Sequence, residues 1–289
     1  MDFNSVYDGQ KKWAILTGDA LSVLKTIPDN VLQTTITSPP YYQLRDYGND
    51  QQIGQEQTPK EYIDKLVEIF REVRRCTRED GTCWINMGDK YTISQTKANK
   101  KLGLKHKDLM ALPYELAIAL RNDGWYLRQI YPWVKCNAIP ENVNDRPNTS
   151  VESVIFLSKS DKYYFDMESA KECLGIKRNW RNGDGLLFLD VPTEPTDHAH
   201  FAVMPTELAK VIIKSSTSEK GCCSSCKTPL RRKIKKQGIP GKNDFNGKST
   251  VYYETITKNS RTTLNSRVPN HMKHTTVETL GWEHQCKCK

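Results

Sequence analysis

Six consecutive residues, Thr37-Ser38-Pro39-Pro40-Tyr41-Tyr42, bring together groups with a chemical use. Two adjacent prolines have no N–H to give to a ladder and hold φ fixed. They therefore end a strand and set a stiff, extended turn. Around that turn lie the Ser38 hydroxyl, backbone carbonyls and the flat rings of Tyr41 and Tyr42. A planar base carrying an exocyclic amine fits such a place, with acceptors for the amino hydrogens and a ring to stack on. A Pro-Pro turn backed by core tyrosines is the plainer reading of the same residues.

The elements that must hold this turn follow from pattern. Val31 to Ile36 is rich in β-branched residues and reads as a strand that delivers the turn at its carboxyl end. In open α/β sheets ligands bind at that end. Trp13 to Thr17 reads as an earlier strand, and Gly18-Asp19 as a turn in which Asp19 caps a helix from Ala20 to Ile27. Thr58-Pro59-Lys60-Glu61 starts a helix whose apolar face is Tyr62, Leu66, Ile69, Phe70 and Val73, ending at Asp80-Gly81. Thr82 to Asn86 is the next strand, with Gly88-Asp89 at its end. Tyr91 to Lys107 is polar and aperiodic and reads as a loop. Asp108 is expected to cap a helix carrying Leu109, Leu112, Leu116 and Leu120. Trp125 to Val134 and Val151 to Leu157 are further strands, and Pro205 opens a helix through Leu208, Val211 and Ile212. The alternation of strand and helix indicates an α/β sheet.

The chain of 289 residues carries a net charge of +9, which suits a polyanionic partner. The densest basic patches are Lys97 to Lys101 and Arg231 to Lys236. Mean hydropathy is −0.67 and no apolar run is long enough to span a bilayer. Met1-Asp2-Phe3-Asn4 has no secretory pattern, so a cytoplasmic setting is expected. Nine cysteines, an odd number, argue against a disulfide framework. Cys223-x-x-Cys226 and Cys286-x-Cys288 offer four thiolates for one structural Zn²⁺, against the alternative of four unliganded thiols. Composition changes near residue 218, so residues 1–218 are expected to form one domain and residues 219–289 a cysteine-rich, basic insert.

The hexapeptide resembles motif IV of the amino-group DNA methyltransferases, Ser/Asp-Pro-Pro-aromatic. Thr17-Gly18-Asp19-Ala20-Leu21, the segment Tyr41 to Gly48, Asn86-Met87-Gly88-Asp89, Asp123-Gly124-Trp125, Trp133 to Asn137, Asp145-Arg146-Pro147 and Val154 to Lys159 resemble further elements in the family's order. His200 to Leu208 resembles its motif X. The resemblance implies a Rossmann-like methyltransferase sheet, S-adenosylmethionine as methyl donor and double-stranded DNA as partner. It implies catalytic roles for Ser38, Pro39, Pro40 and Tyr41, and cofactor contacts at Asp19, Thr37, Phe201 and Pro205. DNA contacts are expected at Tyr42, Arg45, Lys97, Lys100, Lys101, Lys135, Asn137, Arg178 and Arg181. Members with serine first in the motif are more often cytosine-N4 enzymes, which favours cytosine. Adenine-N6 methylation and a catalytically silent DNA-binding fragment are the alternatives.

One departure stands out. The family's glycine-rich cofactor loop, expected after motif X in this permuted order, has no counterpart. Gly183-Asp184-Gly185 neither follows a strand nor precedes a convincing helix. The sheet is therefore expected to lack the motif I strand, which a second polypeptide or the rest of a truncated reading frame would supply.

Overall fold

The computed structural model describes residues 3–92, 103–135, 137–138, 140–173, 189–194, 203–239 and 274–288. Its centre is a sheet of five strands: β1 (Leu32–Thr37), β2 (Thr77–Met87), β3 (Tyr126–Val134), β4 (Val151–Ser158) and β5 (Leu189–Asp190). Their spatial order is β1-β2-β4-β3-β5. β1 and β2 are parallel, β4 is antiparallel to β2 and β3, and β5 is parallel to β3. The carboxyl ends of β1, β2 and β3 and the amino end of β4 thus converge on one end of the sheet.

Side chains alternate across a strand, so β2 feeds two cores. Cys83, Ile85 and Met87, with Ile155 and Leu157 of β4, pack under α3 (Pro59–Cys76) and α4 (Leu112–Asn122). Trp84, Val154 and Phe156 face the other side, against Leu208, Val211 and Ile212 of α6 (Thr206–Ser216). The Trp84 and Phe156 rings stack with centroids 4.0 Å apart. Trp84 donates its indole N–H to Ser216 Oγ at 2.8 Å, which satisfies the polar end of a buried ring.

α3 opens with a capping box: Glu61 N–H donates to Thr58 Oγ1 and Thr58 N–H to the Glu61 carboxylate. Asp19 caps α2 (Ala20–Leu24) as expected, accepting from Ser22 N–H at 2.9 Å. α1 (Asn4–Tyr7) is a single turn, and α5 (Met167–Cys173) leads out of the sheet after β4. A separate antiparallel ribbon, β6 (Arg231–Ile239) and β7 (His274–Glu283), occupies the carboxyl-terminal part.

Four expectations are corrected. Trp13 to Thr17 forms no strand; Trp13 and Ile15 are 65% and 70% exposed. Among the described residues β1 is the edge of the sheet, so no neighbouring strand lies beyond it to pair with this segment. α3 ends at Cys76 rather than at Asp80-Gly81, because Thr77 is already extended and pairs with Leu32. α2 is shorter than its pattern, ending at Leu24. The α4 helix begins at Leu112, not near Asp108. Asp108 instead closes a turn onto Lys105 N–H, while Asp89 Oδ1 reaches over from the end of β2 to accept from Leu112 N–H at 3.2 Å. That cap is tertiary and invisible to local pattern.

Candidate active site

Ser38 is exposed on the turn after β1, with buried Pro39 beneath it. Tyr62 donates its hydroxyl to the Pro40 carbonyl at 2.8 Å, which pins the second proline to α3. Tyr41 then turns back toward the sheet. Its ring lies so close to Gly88 that a β-carbon there would sit 2.8 Å from Tyr41 Cε2. A glycine after β2 is what lets the ring in.

The Tyr41 hydroxyl donates to Glu152 Oε2 at 2.6 Å. Asn86 Nδ2 donates to both the Tyr41 oxygen, at 3.0 Å, and Glu152 Oε2, at 2.8 Å. The Lys135 ammonium is ion-paired with the other carboxylate oxygen, and Ser38 Oγ lies 3.3 Å from the Tyr41 oxygen. These residues come from the ends of four strands. Ser38 and Tyr41 follow β1, Asn86 is near the end of β2, Lys135 follows β3, and Glu152 opens β4 opposite Trp133. Burial and the Glu152 carboxylate, which also accepts its hydrogen bond, hold the Tyr41 phenol far above its ordinary range. It remains a donor at any working pH.

Sequence pattern missed Asn86 and Glu152 as site residues. Their signal was present: each is a polar residue near a strand end and beside an apolar run, Cys83 to Ile85 for Asn86 and Val154 to Leu157 for Glu152. Only the sheet order shows that the two ends meet. Asp89, one turn further on, has a carboxyl raised above its ordinary value by burial, opposed by the backbone N–H groups it caps.

Of the expected DNA contacts, Tyr42 is buried, Lys135 half-buried and Asn137 exposed. Tyr42 is 3% exposed and packs on Tyr62 with ring centroids 5.4 Å apart, because the turn directs alternate tyrosines to opposite sides. Lys135 is committed to Glu152. Asn137 exchanges hydrogen bonds with Thr193, donating to its carbonyl at 3.0 Å and accepting from its N–H at 2.9 Å. Arg45 is half-buried on the loop after the turn. Lys97, Lys100, Lys101, Arg178, Arg181 and Phe201 lie outside the described residues.

Of the expected cofactor contacts, Thr37 ends β1, paired with Ile85. Pro205 is buried at the start of α6, and Asp19 lines an open cleft of about 550 Å³ with Ile15 to Gly18, Ser22, Val23 and Thr26. The Asp19 carboxyl is held below its ordinary value by the Ser22 N–H and hydroxyl.

The sulfurs of Cys223, Cys226, Cys286 and Cys288 all lie within 4.8 Å of one another. A tetrahedral site with Zn–S bonds of about 2.3 Å needs sulfurs roughly 3.8 Å apart, so this cluster fits a zinc ion with little adjustment. Cys223 and Cys226 sit on a tight turn in which Cys223 N–H donates to the Thr228 carbonyl and Lys227 N–H to the Cys223 carbonyl, both at 2.9 Å. Hydrogen bonds from Thr228 pull the Cys226 thiol down to about 6, while its neighbours Cys226 and Cys286 push Cys288 up to about 12. Cys222 is exposed and outside the cluster.

An α/β sheet with a Ser-Pro-Pro-Tyr turn at the carboxyl end of a parallel strand defines a methyltransferase-like class of enzyme. The profile of the DNA methylase family of N6/N4 methyltransferases matches residues 32–223, and the chain belongs to that family. It is 42% identical over 221 residues to the type II methyltransferase M.Cfr9I of Citrobacter freundii, covering 70% of this chain and 72% of that protein. It is 40% identical over 223 residues to M.SmaI of Serratia marcescens, covering 72% and 76%. Among solved structures, the PvuII DNA methyltransferase (cytosine-N4-specific) superposes with a TM-score of 0.53 at 16% identity, covering 70% of this chain and 69% of that one, which shows a shared fold. No helix among the described residues is long and apolar enough to cross a membrane.

Proposed function

We propose that this chain is the catalytic part of a modification methyltransferase that moves the methyl group of S-adenosylmethionine to the exocyclic N4 of a flipped cytosine in double-stranded DNA. The observation that carries the reading is the exposed Ser38 hydroxyl on a proline-stiffened turn, backed by Tyr41, Asn86 and Glu152. The exocyclic amine is a poor nucleophile because its lone pair is delocalised into the ring. Acceptors on Ser38 and the Pro39 carbonyl bind its hydrogens and favour pyramidal nitrogen, and positioning supplies much of the acceleration. Tyr41 offers the ring beside the extruded base. Serine at the head of the motif favours cytosine over adenine.

Asp19, Thr37, Phe201 and Pro205 are proposed to face the methyl donor, and Arg45, Lys97, Lys100, Lys101, Arg178 and Arg181 the DNA. We also propose that the four clustered cysteines hold a structural Zn²⁺ and that residues 219–289 form a unit built around it. A strand supplied from outside the described residues, by this or another polypeptide, is proposed to pair with the open side of β1 and complete the donor pocket.

Incubation of the protein with duplex DNA and methyl-labelled S-adenosylmethionine, followed by nucleoside separation, tests the reading. Labelled N4-methylcytosine is the expected product. Labelled N6-methyladenine would replace cytosine with adenine, and DNA binding without transfer would replace the enzyme with a silent binding module.

A further inference from the structure

The hydrogen bonds around Tyr41 have a direction. Glu152 is acceptor-only as a carboxylate. It receives the Tyr41 hydroxyl at 2.6 Å, Asn86 Nδ2 at 2.8 Å and the Lys135 ammonium. The one hydrogen of Tyr41 is therefore committed inward, and its oxygen can only accept. It accepts from Asn86 at 3.0 Å and faces Ser38 Oγ at 3.3 Å. That last contact is loose for a hydroxyl pair. Hydrogen bonds of this kind tighten when substrate closes the site.

We infer that Glu152, held by Lys135, acts through Tyr41 to present Ser38 to the substrate amine as a hydrogen-bond acceptor, and that Glu152 is where the proton lost by that amine comes to rest. With its own hydrogen on Tyr41, Ser38 turns both lone pairs toward the amino hydrogens. A hydroxyl free to rotate would instead offer its hydrogen to a group that is itself a donor. The inference rests on the methyltransferase reading and deepens it.

The step balances as follows. The amine lone pair forms the new N–C bond, and the C–S bond of the sulfonium donor breaks with its electron pair left on sulfur. The nitrogen then carries one proton in excess. That proton passes to Ser38 Oγ, the Ser38 proton to the Tyr41 oxygen, and the Tyr41 proton to Glu152 Oε2. Ser38 and Tyr41 end as they began, and Glu152 returns its proton to water in the next cycle. Glu152 touches neither base nor donor, so it is a positioning residue that also ends the proton path. Its side chain is 14% exposed and that of Lys135 23%, which leaves the pair largely sheltered but not sealed.

The test compares single-turnover methyl transfer, at saturating DNA and donor, in the wild type, Glu152→Gln, Tyr41→Phe and the double variant, with DNA affinity measured alongside. Either single change is expected to slow transfer by about 100-fold, the lower range for a positioned acid–base group, with DNA affinity within threefold of wild type. The double variant is expected to be no slower than the slower single one, because one break already interrupts the path. Glu152→Asp should recover part of the rate. Tyr41→Phe keeps the ring against Gly88, so it carries the test if Glu152→Gln does not fold. Transfer within threefold of wild type in either single variant, multiplicative losses in the double, or no recovery of rate in Glu152→Asp would overturn the relay. A wild type that methylates no base would refute the proposed function itself, and the relay with it.

Discussion

At the scale of single residues, Gly88 decides where Tyr41 can lie. The 2.8 Å separation between a hypothetical β-carbon and Tyr41 Cε2 is shorter than real side chains tolerate. Gly88→Ala is expected to push the ring outward, stretch its hydrogen bond to Glu152 and slow methyl transfer at least tenfold. The overpacking should destabilise the fold by about 1–3 kcal/mol. Transfer rates and thermal unfolding check both parts; turnover equal to wild type would show that the ring position does not matter to the chemistry. The neighbouring Tyr42 shows how one residue's step along a stiff turn changes the outcome. Tyr41 reaches the site, and Tyr42 enters the core beside Tyr62.

At the scale of elements, the edge of the sheet is the informative feature. β1 has a partner on one side only among the described residues, and Trp13 and Ile15 are exposed. An unpaired edge leaves N–H and C=O groups open to another strand. The cleft lined by Thr17, Gly18 and Asp19 is shallow, and the described residues place no glycine loop against it. If another polypeptide supplies the strand that pairs with β1, this chain by itself is expected to bind S-adenosylmethionine weakly, with affinity restored when that polypeptide is added. Calorimetric titration checks this, and one micromolar site per chain would show that the pocket is complete without it.

At the scale of the whole molecule, arginine side chains tie the cysteine turn and the ribbon to the rest of the described chain. Arg78 of β2 donates to the Cys226 carbonyl at 3.3 Å. Arg232 of β6, only 8% exposed in its side chain, donates to Asp166 at 3.0 Å and Ser169 Oγ at 2.7 Å and lies over the Trp282 ring. Such a buried, multiply bonded guanidinium fixes orientation as much as stability. The basic run Arg231 to Lys236 is thus divided: Arg232 turns inward, while Lys233 and Lys235 remain exposed. Protein prepared without chelator is expected to carry about one Zn²⁺ per chain. Its removal should free four thiols and increase hydrogen exchange in β6 and β7, while the five-stranded sheet stays protected. Elemental analysis and exchange measurements check this; metal-free protein with all four thiols reactive in the native state would end the idea.

Local chemistry was legible in the sequence by itself. The Ser-Pro-Pro-Tyr turn at the end of β1, the Asp19 and Thr58 caps, the α3 face and the paired cysteines all follow from short-range rules of strand ending, helix capping and ligand spacing. The alternation of elements likewise announced an α/β sheet. The tertiary structure decided what depends on contacts between distant residues. A strand exists only where a neighbour completes its ladder, so Trp13 to Thr17, unpaired among the described residues, remains irregular. A cap can come from another element, so Asp89 rather than Asp108 starts α4. The antiparallel insertion of β4 between β2 and β3 brings Glu152 to Tyr41, Asn86 and Lys135, a meeting of four strand ends that no spacing along the chain reveals.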